Sequence, residues 1–237
     1  MVVVDTEYIK KVFVAGIKNR LTGDSKNRKE GVHTSSIVYE CGRLLWFELT
    51  EKKEIPERAN AENVDLEDMG DGLFRIWMGS EFHKTPLTSK HESELWWKYN
   101  GYDIGGTVDE IIEENDGEDR IILDKKFVAV LPDKMYEHHR RQVMFYAVLL
   151  REVNKYLANG ISLLYVKPIL NTYREERYRV FLEKITPGDI DEYKSKLDII
   201  LARIKGKEKF SSWFCKYCQF GLECKAMDLE FEKKNDK

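Results

Sequence analysis

Hydrophobic and polar positions repeat along the chain with two different periods, which separate predicted strands from predicted helices. Strand-like runs occur at residues 92–99, 105–113, 119–131, 161–170 and 176–185. Helical spacing of apolar residues occurs at residues 5–20, 34–50, 64–84 and 134–158, and again after Thr186-Pro187. The whole pattern predicts a mixed α/β domain with a mostly sequential sheet and helices packed against it.

Local signals set the expected ends of these helices. Ser35 or Ser36 is the expected N-cap of the helix at 34–50, which would then contain Cys41. Asn159-Gly160 is the expected stop of the helix at 134–158. In the last helix one apolar stripe is formed by Ile190, Tyr193, Leu197, Ile200 and Ile204.

The composition narrows the function classes. The 237 residues include 39 Lys and Arg against 42 Asp and Glu, a net charge of −3. The 42% apolar fraction excludes general disorder, and no apolar run reaches about 18 residues, the length that a membrane span needs. We see no secretory signal and expect a cytoplasmic protein. The small net charge excludes a uniformly basic nucleic-acid coat, but it allows a local basic groove beside an acidic metal site.

Four cysteines are distributed unevenly. Cys215, Cys218 and Cys224 form a C-x2-C-x5-C cluster, and Cys41 stands alone. Thiols remain reduced inside cells, so the set favours a metal or cluster over disulfides. A four-thiolate site would hold the two ends of the chain together. Uneven spacing with one remote cysteine favours iron–sulfur ligation, while a structural zinc ion and two disulfides remain open.

The segment GTVDEIIEENDGEDRIILDKKFVAV predicts a β-hairpin. Asp116-Gly117 lies between two β-rich runs and indicates a two-residue turn. With that turn, paired positions sum to 233, so Asp109 faces Asp124 across the hairpin at roughly 5 Å between β-carbons. Lys126 points to the same face, because side chains alternate along a strand.

Two facing carboxylates repel each other unless a cation compensates their charge. Mg²⁺ or Mn²⁺ is the natural compensation, since hard oxygen ligands suit both ions. Such an ion would activate water, and Lys126 would steady the charge of the transition state. His83 in a G-x-x-x-H segment could complete the metal shell or be structural. The alternative for the hairpin is a solvated acidic strand pair without chemistry.

The long helix at 134–158 carries further candidate residues. Gln142 and Tyr146 share a face at i, i+4 spacing, and His138 lies one turn earlier on the same stripe. A glutamine on an otherwise apolar helix calls for a polar partner. Arg140 and Arg141 occupy the adjoining face, where they would bind DNA phosphates or simply extend to solvent.

Taken in order, these residues resemble the RecB-type branch of the PD-(D/E)xK nuclease superfamily, and within it the CRISPR-associated iron–sulfur exonucleases, the fourth Cas family. The resemblance covers nearly the whole chain after about residue 35 and rests on YECGRLLWFEL, GSEFH, GGTVDEI, ILDKK, QVMFY and CKYCQFGLEC. It implies a restriction-endonuclease-like core, in which helices flank a mixed central sheet, and a four-cysteine lobe that joins the chain ends. The division it implies is a helical region at 1–60, a nuclease core at 61–205, and a cysteine segment with a tail at 206–237.

The resemblance also implies a role for each candidate residue. The metal ligands would be His83, Asp109, Asp124 and the backbone carbonyl of Lys125. Lys126 would be the catalytic lysine, with Gln142 and Tyr146 helping to hold the site and DNA. A [4Fe–4S] cluster, or a [2Fe–2S] form, would be held by Cys41, Cys215, Cys218 and Cys224. Two positions differ from the usual family pattern: Asp124 stands where Glu is commoner, and Gly42 replaces a proline.

The implied function is metal-dependent hydrolysis of DNA from single-stranded ends. In a cell, such an enzyme would trim DNA fragments before a CRISPR integrase inserts them as spacers, and it could act as a homo-oligomer. A viral or DNA-repair relative would carry the same motifs. Two alternatives from other classes are a non-catalytic iron–sulfur DNA-binding subunit and a zinc-stapled structural protein.

Overall fold

The structure is a computed structural model. The residues it describes are 29–50, 86–88, 90–114, 117, 119–128, 130–167, 178–210, 215–216, 218 and 220–235. The helices expected at 5–20 and 64–84 lie outside these residues, as does His83. The three-part division of the chain stays a prediction.

The described residues form six strands and five helices. The strands are β1 (Val32–His33), β2 (His91–Tyr99), β3 (Tyr102–Glu114), β4 (Asp119–Phe127), β5 (Gly160–Val166) and β6 (Tyr178–Lys184). The helices are α1 (Thr34–Ile37), α2 (Gly42–Thr50), α3 (Glu137–Asn154), α4 (Pro187–Gly206) and α5 (Gly221–Asn235). None of these helices combines the length and the apolar character that crossing a membrane requires.

One mixed sheet contains all six strands. Its order is β1-β3-β4-β5-β6, and β2 pairs with β3. The β2–β3, β3–β4 and β5–β6 pairs are antiparallel, whereas β1–β3 and β4–β5 are parallel. Helix α3 connects the parallel strands β4 and β5, as such a crossover requires. The mixed α/β fold with a central sheet and flanking helices is confirmed.

The predicted hairpin register is also confirmed. Strand β3 pairs with β4 from Glu114–Asp119 to Glu110–Leu123, and each pair sums to 233. This ladder ends at Glu110 and Leu123, so it does not include the direct pairing of Asp109 with Asp124 that the sequence predicts. Strand β3 itself continues through Asp109 without a break, paired with β2 in one register on both sides of it.

Helix α3 packs between the sheet and α4, and the core fills both of these interfaces. Along α3, every residue from Val143 to Leu150 is buried. The whole stripe predicted for α4 is buried too, from Ile190 to Ile204. Thr186 caps α4 as expected. Its hydroxyl accepts from the Asp189 amide at 3.3 Å, and the Asp189 carboxylate accepts from the Thr186 amide.

Several helix boundaries differ from the sequence expectation. Helix α3 ends at Asn154, because Lys155 adopts a left-handed conformation (φ 62°) and already closes it; Gly160 instead begins β5. The segment expected as one helix at 34–50 is two helices, with a break at Glu40 (φ 54°). Cys41 therefore lies between helices rather than inside one, and neither Ser35 nor Ser36 is an N-cap.

A buried ion pair supports β3 and β4 on the side away from Asp124. Lys125 Nζ lies 2.6 Å from Glu110 Oε1, and both side chains are fully buried. Glu110 also accepts from the amides of Leu87 and Thr88. Burial acts to raise the pKa of Glu110, but these hydrogen bonds outweigh it and lower the pKa. The resulting stability is present above the unfolded-state pKa and is lost as the pH falls through the folded-state pKa.

We expect Lys125→Met to lower the free energy of unfolding by about 3–5 kcal/mol, because it leaves the Glu110 charge buried without its cation. Adding Glu110→Gln should recover part of the loss, since a neutral amide still accepts from residues 87 and 88. Urea denaturation measures both changes. Lys196→Met, which breaks an exposed pair with Glu192, is the control and should cost less than about 1 kcal/mol. Equal losses for the two lysine variants would contradict this account.

Candidate functional site

Two carboxylates from neighbouring strands lie where β3 and β4 separate. Asp109 directly precedes Glu110, the residue at which the β3–β4 ladder ends, and its Oδ2 accepts from the Lys125 amide at 2.6 Å. Asp124 is almost fully buried in the middle of β4. The charges of both carboxylates act on the hydroxyl of Tyr146, so they approach one point from different strands.

Lys126 is held between a carboxylate and an amide. Its Nζ lies 2.6 Å from Asp124 Oδ2, as expected for residues two apart in one strand. The same ammonium donates to Gln142 Oε1 at 3.0 Å. Lys126 is therefore the polar partner that the sequence predicts for Gln142 on α3. The lysine side chain is 16% exposed, which leaves its charge accessible from one side.

The hydrogen-bonded chain continues from Gln142 into the core. Gln142 Nε2 donates to the Tyr146 hydroxyl at 3.2 Å, and that hydroxyl also bonds to the Thr34 side chain. Burial, together with the nearby carboxylates, raises the pKa of Tyr146 to about 12, so the phenol stays protonated at neutral pH. A Cβ at Gly106 would come within 2.8 Å of Thr34 Oγ1 and 3.3 Å of the Tyr146 hydroxyl. Glycine is therefore required for this close approach.

Aromatic side chains adjoin Lys126 at the start of α3. Tyr165 faces Lys126 in the β4–β5 ladder, and its hydroxyl lies 3.1 Å from His139 Nδ1. Burial lowers the pKa of His139 to about 3, and the Lys126 charge acts in the same direction. The same two causes lower the pKa of His138, with a contribution from Arg141. Both imidazoles are therefore neutral at pH 7.

The two arginines predicted to bind DNA are engaged in ion pairs. Arg140 forms a bidentate pair with Glu183 and donates to the Tyr193 hydroxyl at 3.0 Å. Arg141 pairs with Glu137 and, at 2.7 Å, with Glu40. These contacts tie α3 to neighbouring elements. A contact with phosphate would require either arginine to share or exchange its carboxylate, and DNA binding by them stays a prediction.

The cysteines predicted to act together approach one another. Cys41, Cys218 and Cys224 pack against the same apolar cluster, formed by Leu44, Phe47 and Phe220. Burial raises the pKa of Cys218, and the charges of Cys41, Cys215 and Cys224 add to this effect. None of the four thiols forms a disulfide. Sequence positions 174 or more residues apart are thus neighbours, although Cys215 is exposed.

Arg43 connects this cysteine region with α4. Its guanidinium donates to the Lys207 carbonyl at 2.9 Å and lies 3.5 Å from Cys224 Sγ. It also forms an ion pair with Asp228. Gly42 allows the approach, because a Cβ there would collide with the backbone of Arg203. Gly42 therefore has a packing role in this chain.

Among the described residues, no group of three or more His, Cys, Asp or Glu side chains is arranged to hold a metal ion. For the site around Asp109 and Asp124 this is expected, because the predicted ligands there are only two described carboxylates and one carbonyl, and His83 lies outside the described residues. The oxygen donors of Asp109, Asp124 and Lys125 fit a hard divalent cation in chemistry. The four thiols are likewise the right kind of donor for a metal centre with thiolate ligands, but their positions are not those of ligands around one ion.

Sequence reasoning missed two parts of the site. The Glu110–Lys125 pair was recoverable from the register, since Glu110 opposite Leu123 is a diagonal neighbour of Lys125. Thr34 gave no signal, because its approach to Tyr146 depends on the parallel pairing of β1 with β3.

Comparisons with known proteins place this geometry in a family. The structure is similar to one solved as "Crystal structure of SSO0001", with a TM-score of 0.56 and 20% identity over 92% of this chain and 97% of that chain. At this identity the likeness shows the fold alone. No curated protein matches the chain. The family model of the PD-(D/E)XK nuclease superfamily matches residues 19–225. This match spans most of the chain and includes Asp109, Asp124 and Lys126, and the chain therefore belongs to the PD-(D/E)XK nuclease superfamily.

Proposed function

We propose that this protein is a metal-dependent DNA exonuclease that acts on single-stranded ends. The observation that carries the proposal is the position of Lys126, which contacts Asp124 and Gln142 beside a second carboxylate, Asp109. A non-catalytic DNA-binding protein has no need for a partly buried lysine held next to two acidic groups.

Asp109, Asp124 and the carbonyl of Lys125 would hold Mg²⁺ or Mn²⁺, with His83 as the fourth ligand. When bound, such an ion polarises a phosphoryl oxygen and lowers the pKa of water to the neutral range. The chain's own contribution is to fix these donors: the Lys125 amide orients the Asp109 carboxylate, and the buried Glu110–Lys125 pair secures the strand behind it.

Lys126 is the residue that stabilises the negative charge that develops on the phosphoryl oxygens in the transition state. Its ammonium is held by two partners, so little reorganisation is needed when negative charge grows on the phosphoryl oxygens. Low exposure strengthens that interaction, because water screens it weakly. Gln142 and Tyr146 are positioning residues in this scheme, since they act through Lys126.

We propose that Cys41, Cys215, Cys218 and Cys224 bind an iron–sulfur cluster, [4Fe–4S] rather than [2Fe–2S]. The shared apolar surroundings of three of them and the mutual influence of the four thiols support one common centre. Hydrolysis has no redox step, so the cluster would be structural. Zinc remains the competing occupant.

The cellular role we propose is cytoplasmic trimming of DNA fragments before a CRISPR integrase inserts them as spacers. This rests on the sequence resemblance alone, and a viral or repair role would use the same chemistry. The competing function is that of a non-catalytic iron–sulfur subunit in a repair or integration complex.

We expect Lys126→Ala to lower cleavage of single-stranded DNA about 100- to 1,000-fold while DNA binding is retained, because one electrostatic donor is removed. DNA labelled separately at each end, with Mn²⁺, Mg²⁺ or EDTA, reports the loss and gives the polarity. Lys184→Ala is the matched control, since Lys184 is exposed and pairs with Gly160 at the far end of the β5–β6 ladder. Undiminished cleavage by the Lys126 variant would rule out this catalytic assignment.

We expect Gly106→Ala to lower kcat by about 10- to 100-fold, because the added methyl group displaces Tyr146 and Thr34 and thereby Gln142. Circular dichroism before the assay verifies folding. Gly188→Ala serves as the control, since a Cβ there meets only Thr186 Oγ1 at 3.6 Å, an ordinary contact. A folded Gly106 variant with wild-type kcat would show that the hydrogen bonds that link Thr34 through Tyr146 and Gln142 to Lys126 have no positioning role.

We expect protein purified without oxygen to be brown and to contain about four iron atoms per chain. Cys215→Ala should lose iron and thermal stability, with Ser195→Ala as a control on the exposed face of α4. Iron and sulfide analysis and visible absorption measure the outcome. A colourless product loaded with zinc would contradict the iron–sulfur assignment, and an iron-loaded Cys215 variant would remove that residue from the ligand set.

A further inference from the structure

An aromatic residue occupies the N-cap of α3, where a capping side chain is normally found. Tyr136 has the extended backbone of an N-cap (φ −67°, ψ 131°), but it makes no side-chain capping bond. Ser, Thr, Asp or Asn at this position would stabilise the helix relative to a residue without a capping side chain. The tyrosine ring is instead 39% exposed. Helix stability therefore does not explain this residue.

The ring of Tyr136 is held in a defined orientation. Its backbone amide donates to the Tyr165 hydroxyl at 3.1 Å. Its ring meets the fully buried Tyr165 ring edge to face, with centroids 5.7 Å apart at 87°. His139 makes a second edge contact at 5.6 Å. An exposed ring that is fixed from behind loses little conformational entropy when a ligand stacks on it.

The His138 ring extends this surface. It lies nearly parallel to Tyr136, at 13° and 5.8 Å between centroids, so the two rings are offset. We name the pair Tyr136 and His138 the aromatic shelf. A flat, partly exposed aromatic surface of this kind suits the π-face of a nucleobase.

The aromatic shelf adjoins the candidate catalytic lysine. Tyr165, which supports Tyr136, faces Lys126 in the β4–β5 ladder. The Lys126 charge also acts on His138, one helical turn before Gln142. A strand whose phosphate lies at Lys126 would thus bring a neighbouring base to the shelf.

We propose that the aromatic shelf is a binding subsite for one unpaired nucleobase of the DNA strand in the nuclease site. This inference rests on the proposed function. It also gives a physical reason for a preference for single strands: the bases of a duplex are already stacked on one another, so the shelf engages only a base that has left the stack.

The test is a thermodynamic cycle on binding, measured in EDTA so that no strand is cleaved. Wild type and Tyr136→Ala are titrated with a fluorescent single strand and with strands that carry one abasic site at each position in turn. We expect Tyr136→Ala to weaken binding of the intact strand about 5- to 150-fold. At one abasic position this loss should vanish, because the base that the ring contacts is already absent.

Tyr136→Phe should retain binding, since stacking needs the ring and not the hydroxyl. His138→Ala should also weaken binding of the intact strand, and this loss should vanish at the same abasic position. Tyr156→Ala is the control, because this exposed tyrosine lies beyond the opposite end of α3 and contacts Arg120. Unchanged binding by Tyr136→Ala, or an equal loss at every abasic position, would overturn the inference. If the wild type cleaves DNA but the Tyr136 substitution shows no coupling to any abasic position, only the role of the aromatic shelf is refuted. If that coupling is found but the wild type does not cleave DNA, the role of the shelf is supported and the proposed nuclease activity is refuted.

Discussion

The antiparallel register between β3 and β4 determines which charged side chains meet. Because side chains alternate along β4, this register turns Asp124 and Lys126 toward α3 and Lys125 toward Glu110. A slip of one residue would exchange these sets and bury a lysine against the wrong partners. The ladder ends at Glu110 and Leu123, and the Asp109 carboxylate next to this end accepts from the Lys125 amide. The site thus depends on a regular ladder that stops at a particular residue.

The side chains of β4 account for the polar residues of helix α3. Helix α3 is apolar where it covers the sheet, but it presents Gln142 and Tyr146 where the sheet carries Lys126. At its start, the helix forgoes a capping residue and exposes an aromatic one beside the same lysine.

Much of the fold follows from sequence because its signals are local. The hairpin register follows from Asp116-Gly117, and the α4 cap and stripe follow from Thr186-Pro187 and helical spacing. The break at Glu40 could not be foreseen, since a left-handed glutamate is stabilised by distant contacts, with Arg141 and Arg203. Thr34 was missed for the same reason. That Asp109 and Asp124 lie near each other was predictable in outline, whereas the point at which the β3–β4 ladder ends depends on tertiary context.

The proposed function requires that β3 and β4 bring two carboxylates together to bind one divalent cation. Titration calorimetry with Mn²⁺ on wild type, Asp109→Asn and Asp124→Asn tests it directly, because binding is measured without DNA or turnover. Asp119→Asn is the control, since Asp119 lies on the same strand but at the hairpin end, bonded to Asn159. The account predicts binding that is lost in both site variants and kept in the control. Unchanged affinity in Asp109→Asn or in Asp124→Asn would contradict it.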